Sequence, residues 1–263
     1  MDLELKGKRA LVVGASRGLG YAVATALAAE GVRVAINSRD AEKLSAAAKQ
    51  IEAASGIAVS TVVADISGVD APSKVIAKTV ESLGGLDLLV TNAGGPPPGP
   101  FESFSEEDWA KGIDLSFMSH VRLIREALPH LRKSDAPSVL TITSYTVKQP
   151  LDNLILSNSI RAATVGLTKT LSNELGAENI RFNSIMPGWT RTARVTQLME
   201  ARAQSNGTSV EEEIAKQTAE SALGRIGEPE EFAKPAVFLL SPAASYITGV
   251  SLLVDGGISK GLM

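Results

Sequence analysis

Ala10-Leu11-Val12-Val13-Gly14-Ala15-Ser16-Arg17-Gly18-Leu19-Gly20 decides the fold of this chain. The apolar start reads as a short buried strand, the glycines as a tight turn, and the Ala-rich stretch that follows as a helix. Each glycine in such a unit has a separate physical role. One permits the turn, one lets the backbone approach a phosphate, and one lets the helix pack close to the strand. The helix N-terminus then faces an anion with free amide donors. This points Gly14, Ser16, Arg17, Gly18, Leu19 and Gly20 at a dinucleotide, with the pyrophosphate at the helix N-terminus. The spacing Gly14-x-x-x-Gly18-x-Gly20 is not the Gly-x-Gly-x-x-Gly fingerprint, so the flanking strand and helix carry the reading. A plain turn between strand and helix is the alternative.

Outward from this unit, short β-type runs alternate with longer helical patterns. The runs are residues 10–13, 32–36, 58–63, 86–90, 139–142, 181–185 and 251–254. Helical patterns cover residues 19–30, 41–53, 69–83, 106–131, 156–175 and 229–240. This alternation predicts an α/β fold with a doubly wound parallel sheet, helices on both faces and right-handed crossovers. No repeat or linker divides residues 1–263, which predicts a single domain. Two segments break the rhythm. Gly94-Gly95-Pro96-Pro97-Pro98-Gly99-Pro100 predicts a stiff irregular loop, since proline removes amide donors and fixes φ. Residues 190–225 read as one or two amphipathic helices broken at Asn206-Gly207. They form either a lid over a ligand site or an ordinary surface helical pair. Neither segment has a charge pattern that names a carboxylate, a phosphate or an acyl chain as substrate.

Composition narrows the function classes. A formal charge of −3 opposes a nucleic-acid surface, which needs a basic excess. The absence of cysteine removes disulfides, thiolate metal sites and a Cys nucleophile. No His/Asp/Glu grouping has metal-ligand spacing. The first eight residues lack the apolar region of a signal peptide, and no stretch reaches the ~20 apolar residues of a membrane span. The expectation is a cytoplasmic protein with no membrane partner and a small-molecule substrate.

The nicotinamide type is read from the end of the second strand, Ile36-Asn37-Ser38-Arg39. An NAD site usually carries an acid there for the ribose 2′-hydroxyl. Here Ser38 replaces the acid, and Arg39 and Arg17 can grip a 2′-phosphate. The cofactor expected is NADP, with NAD the lesser alternative. Asp40 is expected to cap the next helix.

Gly14-x-x-x-Gly18-x-Gly20, Asn92-Ala93-Gly94, Pro187-Gly188, Arg225-Ile226-Gly227-Glu228-Pro229 and Val254-Asp255-Gly256-Gly257 occur in this order along the chain. Together they resemble the short-chain dehydrogenase/reductase family, most closely members of the 3-oxoacyl-acyl carrier protein reductase type. The resemblance implies one Rossmann-like domain with seven parallel strands, and a homotetramer. It also implies adenine-side contacts at Asp65 and Ile66, and a turn beside the adenosine ribose at Asn92, Ala93 and Gly94. Pro187, Gly188, Thr190 and Thr192 would lie along the nicotinamide. A strand-end turn is the other reading of Asp65. On the helix over 156–175, Ala162, Ala163 and Gly166 suit either a self-complementary contact or packing on the sheet.

The resemblance also exposes a departure. In the family a Ser polarises the carbonyl, a Tyr delivers the proton, and a Lys four residues on lowers its pKa and binds the nicotinamide ribose. An upstream Asn supports a water relay. Ser144 matches the Ser, but the Tyr position is Ser157, the Lys position Arg161 and the Asn position Asp114. A serine hydroxyl is a far weaker acid than a phenol. Arg161 keeps the charge but cannot pass a proton along. Tyr145, beside Ser144, is a substitute acid or a packing aromatic. Asp152 and Asn153 read as capping residues and His120 as core-facing or interfacial. Two functions stand: an NADP-dependent oxidoreductase with an atypical site, or a catalytically impaired cofactor-binding sensor or structural partner.

Overall fold

β1 (Arg9–Val13) is apolar on both faces, and the fold buries both. Ala10 and Val12 enter one core cluster, Leu11 and Val13 another. A strand with no polar face belongs inside a parallel sheet covered on both sides. The computed structural model, which describes residues 1–262, places it there. Seven parallel strands lie in the order β3-β2-β1-β4-β5-β6-β7. The others are β2 (Arg33–Ser38), β3 (Ser60–Val63), β4 (Leu88–Thr91), β5 (Ser138–Ile142), β6 (Arg181–Pro187) and β7 (Ser251–Val254). The helices α1 (Gly18–Ala29), α2 (Ala41–Ser55) and α9 (Pro229–Leu240) cover one face. On the other lie α3 (Ala71–Leu83), α5 (Ser119–Leu131) and α6 (Ile155–Glu174). The expected single Rossmann-like domain is therefore what forms, with the strand order reversing beside β1.

Local chemistry explains where the elements depart from the sequence pattern. β3 starts at Ser60, later than expected, because the Val59 amide donates to Glu52 Oε1 at 2.8 Å instead of to the sheet. The helix expected over 106–131 is α4 (Glu106–Ile113), a π-helical turn (Asp114–Met118) and then α5. Such a turn frees backbone groups for other partners. Here the Ser116 carbonyl accepts from Thr164 Oγ1 of α6 at 2.9 Å. Asp40 caps α2 as expected, accepting from the Lys43 amide at 3.0 Å. Asp152 and Asn153 do not cap α6. Its N-cap is Leu154, without a side-chain bond, and the Asn153 carbonyl is used by the Gly99 amide at 2.7 Å. That bond docks the proline loop on the start of α6.

Asn37 fixes the edge of the sheet that carries Arg39. It is buried, and its Nδ2 donates to the Val62 and Ala64 carbonyls at 2.9 and 3.2 Å. Asn37→Ala is expected to cost about 2 kcal/mol in urea unfolding, since two carbonyls lose their donor.

Residues 190–225 form the broken pair α7 (Ala193–Asn206) and α8 (Val210–Glu220). Gly207 ends α7 in the left-handed region, and Ser209 with Glu212 caps α8 reciprocally. A third apolar cluster, with Tyr145, Trp189, Met199 and Ile226, anchors this pair to the sheet.

Candidate functional site

The C-terminal ends of β1, β4, β5 and β6 open onto one cleft of about 570 Å³. Ligands of open α/β sheets bind where the strand order reverses, and this cleft begins there. Gly14 takes φ +65°, and its carbonyl accepts from Asn92 Nδ2 at 3.3 Å. A Cβ on Gly20 would lie 2.5 Å from that same carbonyl, so only glycine lets α1 approach β1 this closely. Ser16, Arg17, Gly18 and Leu19 line the cleft, while Gly20 stands behind them. α1 starts with no side-chain cap and no acid in its first turn. Its leading amides are thus left for an anion.

Arg17 and Arg39 both line the cleft. Arg39 is largely exposed and lies 3.7 Å from Asp65. Ser38, Asp65 and Ile66 stand outside the wall of the cleft. Ser38 Oγ accepts from the Asp40 amide at 3.3 Å. Asp65 accepts from the amide and hydroxyl of Ser67 at 3.0 and 2.7 Å. These bonds hold its carboxyl below the usual range, helped by Arg39. Asp65 is thus at least a strand-end turn residue.

Beyond β4, Asn92, Ala93 and Gly94 line the cleft, as do Pro187 at the end of β6 and Gly188, Thr190 and Thr192 in the segment between β6 and α7. Thr192 caps α7, accepting from the Val195 amide. The motif Arg225-Ile226-Gly227 pins this loop: Gly227 exchanges backbone bonds with Trp189 and Arg191 at 3.0 and 2.8 Å.

Ser144 follows β5 and lines the cleft. Its Oγ accepts from the amide and hydroxyl of Thr146 at 3.2 and 3.1 Å. With both contacts accepted, its own proton is free to point at a ligand oxygen. Ser157 and Arg161 lie one turn apart on α6 and line the same space. Arg161 is only 8% exposed. It donates to the carbonyls of Ile142, Thr143 and Ala93 at 3.3, 3.1 and 3.5 Å, so it straddles the ends of β4 and β5. Burial, with Arg194 nearby, pushes it down to about 10, which leaves it cationic at neutral pH.

Two expected participants sit differently. Asp114 does not line the cleft: its carboxylate turns to Arg122 at 2.8 Å, drawn by the opposite charge across the π-helical turn. The side chain is therefore not placed for a relay. Tyr145 lines the cleft but packs edge-on against Trp189, with ring centroids 6.1 Å apart. Its hydroxyl is buried without a partner, and burial raises its pKa, the direction opposite to an activated acid. His120 is core-facing, bonded to Thr91 at 2.7 Å, and burial lowers it to about 3.

Arg194 is the residue that sequence reading missed. It projects from the first turn of α7 into the cleft and donates to the Pro96 carbonyl at 2.7 Å. It thus ties the helical pair to the proline loop. Its position two residues after Thr192 was the available signal, obscured by Arg191 and Arg202 in the same amphipathic segment. Among the described residues, the cleft wall now counts four arginines, Arg17, Arg39, Arg161 and Arg194, and no carboxylate.

The chain is similar to known proteins along nearly its whole length. The family model described as "Enoyl-(Acyl carrier protein) reductase" matches residues 14–259. The chain is 34% identical to dehydrogenase/reductase SDR family member 4 of Oryctolagus cuniculus, over 96% of this chain and 94% of that one. It is 32% identical to the 3-oxoacyl-[acyl-carrier-protein] reductase FabG of Chlamydia muridarum, over 98% and 100%. Among solved structures, the L-sorbose reductase of Gluconobacter frateurii, complexed with NADPH and L-sorbose, superposes with a TM-score of 0.94. It shares 31% identity, and all of both chains is covered.

Proposed function

Because this chain belongs to the short-chain dehydrogenase/reductase family along nearly its whole length, we propose that it is an NADP-dependent oxidoreductase. It reduces a carbonyl compound, with a 3-oxoacyl thioester among the candidate substrates. One observation carries the reading: a glycine turn and an uncapped helix start open onto a cleft with four arginines and no acid. The residues fit a phosphorylated dinucleotide. Ser16, Gly18 and Leu19 would hold the pyrophosphate, and Arg17 and Arg39, with Ser38, the 2′-phosphate. Asp65 and Ile66 would border the adenine and Asn92–Gly94 its ribose. Arg161 would meet the nicotinamide ribose, and Pro187, Gly188, Thr190 and Thr192 the nicotinamide. When bound, the reduced cofactor supplies a hydride.

The chain's own part is to hold and polarise the carbonyl. Ser144 donates its free proton to the carbonyl oxygen, and the Arg161 charge favours the negative character that develops there. With the Tyr145 phenol sealed, water in the cleft is the proton source. Loss of a dedicated acid slows such chemistry by ~10²–10⁴-fold without abolishing it. The pair α7–α8 serves as the lid. Ala162, Ala163 and Gly166 point outward from α6, and a Cβ on Gly166 meets nothing within 4 Å. They do not pack on the sheet, which leaves them for the contact of a cytoplasmic homotetramer. No helix among the described residues is long and apolar enough to cross a membrane.

The test is loss of NADPH absorbance with an acetoacetyl thioester and a panel of ketones and quinones. Slow turnover is expected, falling about tenfold in Ser144→Ala as one polarising bond is lost. A second reading rests on Ser157 and Arg161 standing where the family has Tyr and Lys: a cofactor-binding sensor or structural partner. NADPH binding with no turnover across the panel supports that reading instead.

A further inference from the structure

Arg161 and Arg194 both line the cleft, close enough for the Arg194 charge to act on Arg161. Arg161 donates to the carbonyl of Thr143, the residue before Ser144. Arg194 reaches in from α7 and donates to Pro96, beyond Gly94-Gly95. Neither forms an ion pair among the described residues, and one contact with Pro96 leaves most of the Arg194 fork without an acceptor. In the proposed reading Ser16, Gly18 and Leu19 take the pyrophosphate and Arg17 and Arg39 the 2′-phosphate, which leaves Arg194 without an assigned group. A guanidinium in a partly dry wall seeks a planar anion, which its fork can meet with paired bonds. The cleft wall also carries the apolar side chains Leu151, Leu154, Val195 and Leu198, the last two on the same helix as Arg194. That leaves room for a short carbon chain.

We propose that Arg194 is a specificity-determining residue that binds the carboxylate of an oxo-acid substrate, with the keto group directed to Ser144. This deepens the reductase reading and rests on it. A bidentate pair in a partly dry site favours the acid over its neutral ester by tenfold or more.

The test uses pyruvate, acetoacetate and levulinate, each beside its methyl ester, so that the carboxylate lies at increasing distance from the keto group. Binding to the full chain saturated with NADP+ is followed by calorimetry, and NADPH oxidation is measured separately. At least one acid is expected to bind tenfold or more tightly than its ester. Arg194→Gln is expected to erase that preference while leaving the NADPH dissociation constant within about twofold. The proposal is overturned if no acid outbinds its ester, or if Arg194→Gln weakens NADPH and leaves acid binding unchanged. Acid binding without NADPH oxidation would retain the carboxylate site and remove the reductase reading.

Discussion

Arg17→Ala combined with Arg39→Ala is expected to weaken NADPH about 100-fold while leaving NADH within about threefold. The two cofactors differ by one phosphate, and Arg17 and Arg39 are the two arginines of the cleft wall assigned to it. A charge-assisted bond is worth roughly 1.5–3 kcal/mol, and exposure reduces it. Taking about 1.4 kcal/mol for each arginine gives tenfold per residue and about 100-fold for both. Asp65, 3.7 Å from Arg39, competes for its charge. Asp65→Asn should therefore tighten NADPH slightly. Salt screens exposed charges, so the NADPH preference should shrink between 0.05 and ~0.3 M salt. Fluorescence titration of both cofactors decides the matter. An equal loss of NADH and NADPH would move both arginines to the pyrophosphate.

What the sequence disclosed depended on how local each feature is. The glycine turn, the continuous apolar run of β1 and the break at Asn206-Gly207 are set by neighbouring residues, and each forms where the pattern puts it. The π-helical turn was illegible because its cause is distant: Thr164, on another helix, takes the Ser116 carbonyl. Asp114 was found by counting, yet its direction follows from Arg122, which counting does not reveal. Tyr145 was rightly placed beside Ser144, but only tertiary packing seals its hydroxyl behind Trp189. Arg194 gains meaning only when α7 is laid across the proline loop.

Ser157→Tyr with Arg161→Lys is expected to raise carbonyl reduction by about 100-fold, within the ~10²–10⁴ range for a positioned general acid. Positions four apart on a helix share a face, and both of these already line the cleft beside Ser144. A phenol at 157 would therefore enter the space where the carbonyl is held, and an ammonium one turn below would lower its pKa. Stability should move the other way. Lys cannot serve the carbonyls of Ile142, Thr143 and Ala93 as the guanidinium fork does, and the loss should cost about 1–3 kcal/mol in denaturant unfolding. A gain in rate beside a loss in stability cannot come from better folding. The reduction rate should also acquire a new fall as pH rises through the phenol pKa, because only the protonated form delivers a proton. Ser157→Tyr alone should gain less, since Arg161 stays clamped to the strand ends and its field is directed there. If the double variant binds NADPH but reduces no faster, the cleft is not shaped to hold a carbonyl for hydride transfer. The four arginines would then serve binding alone.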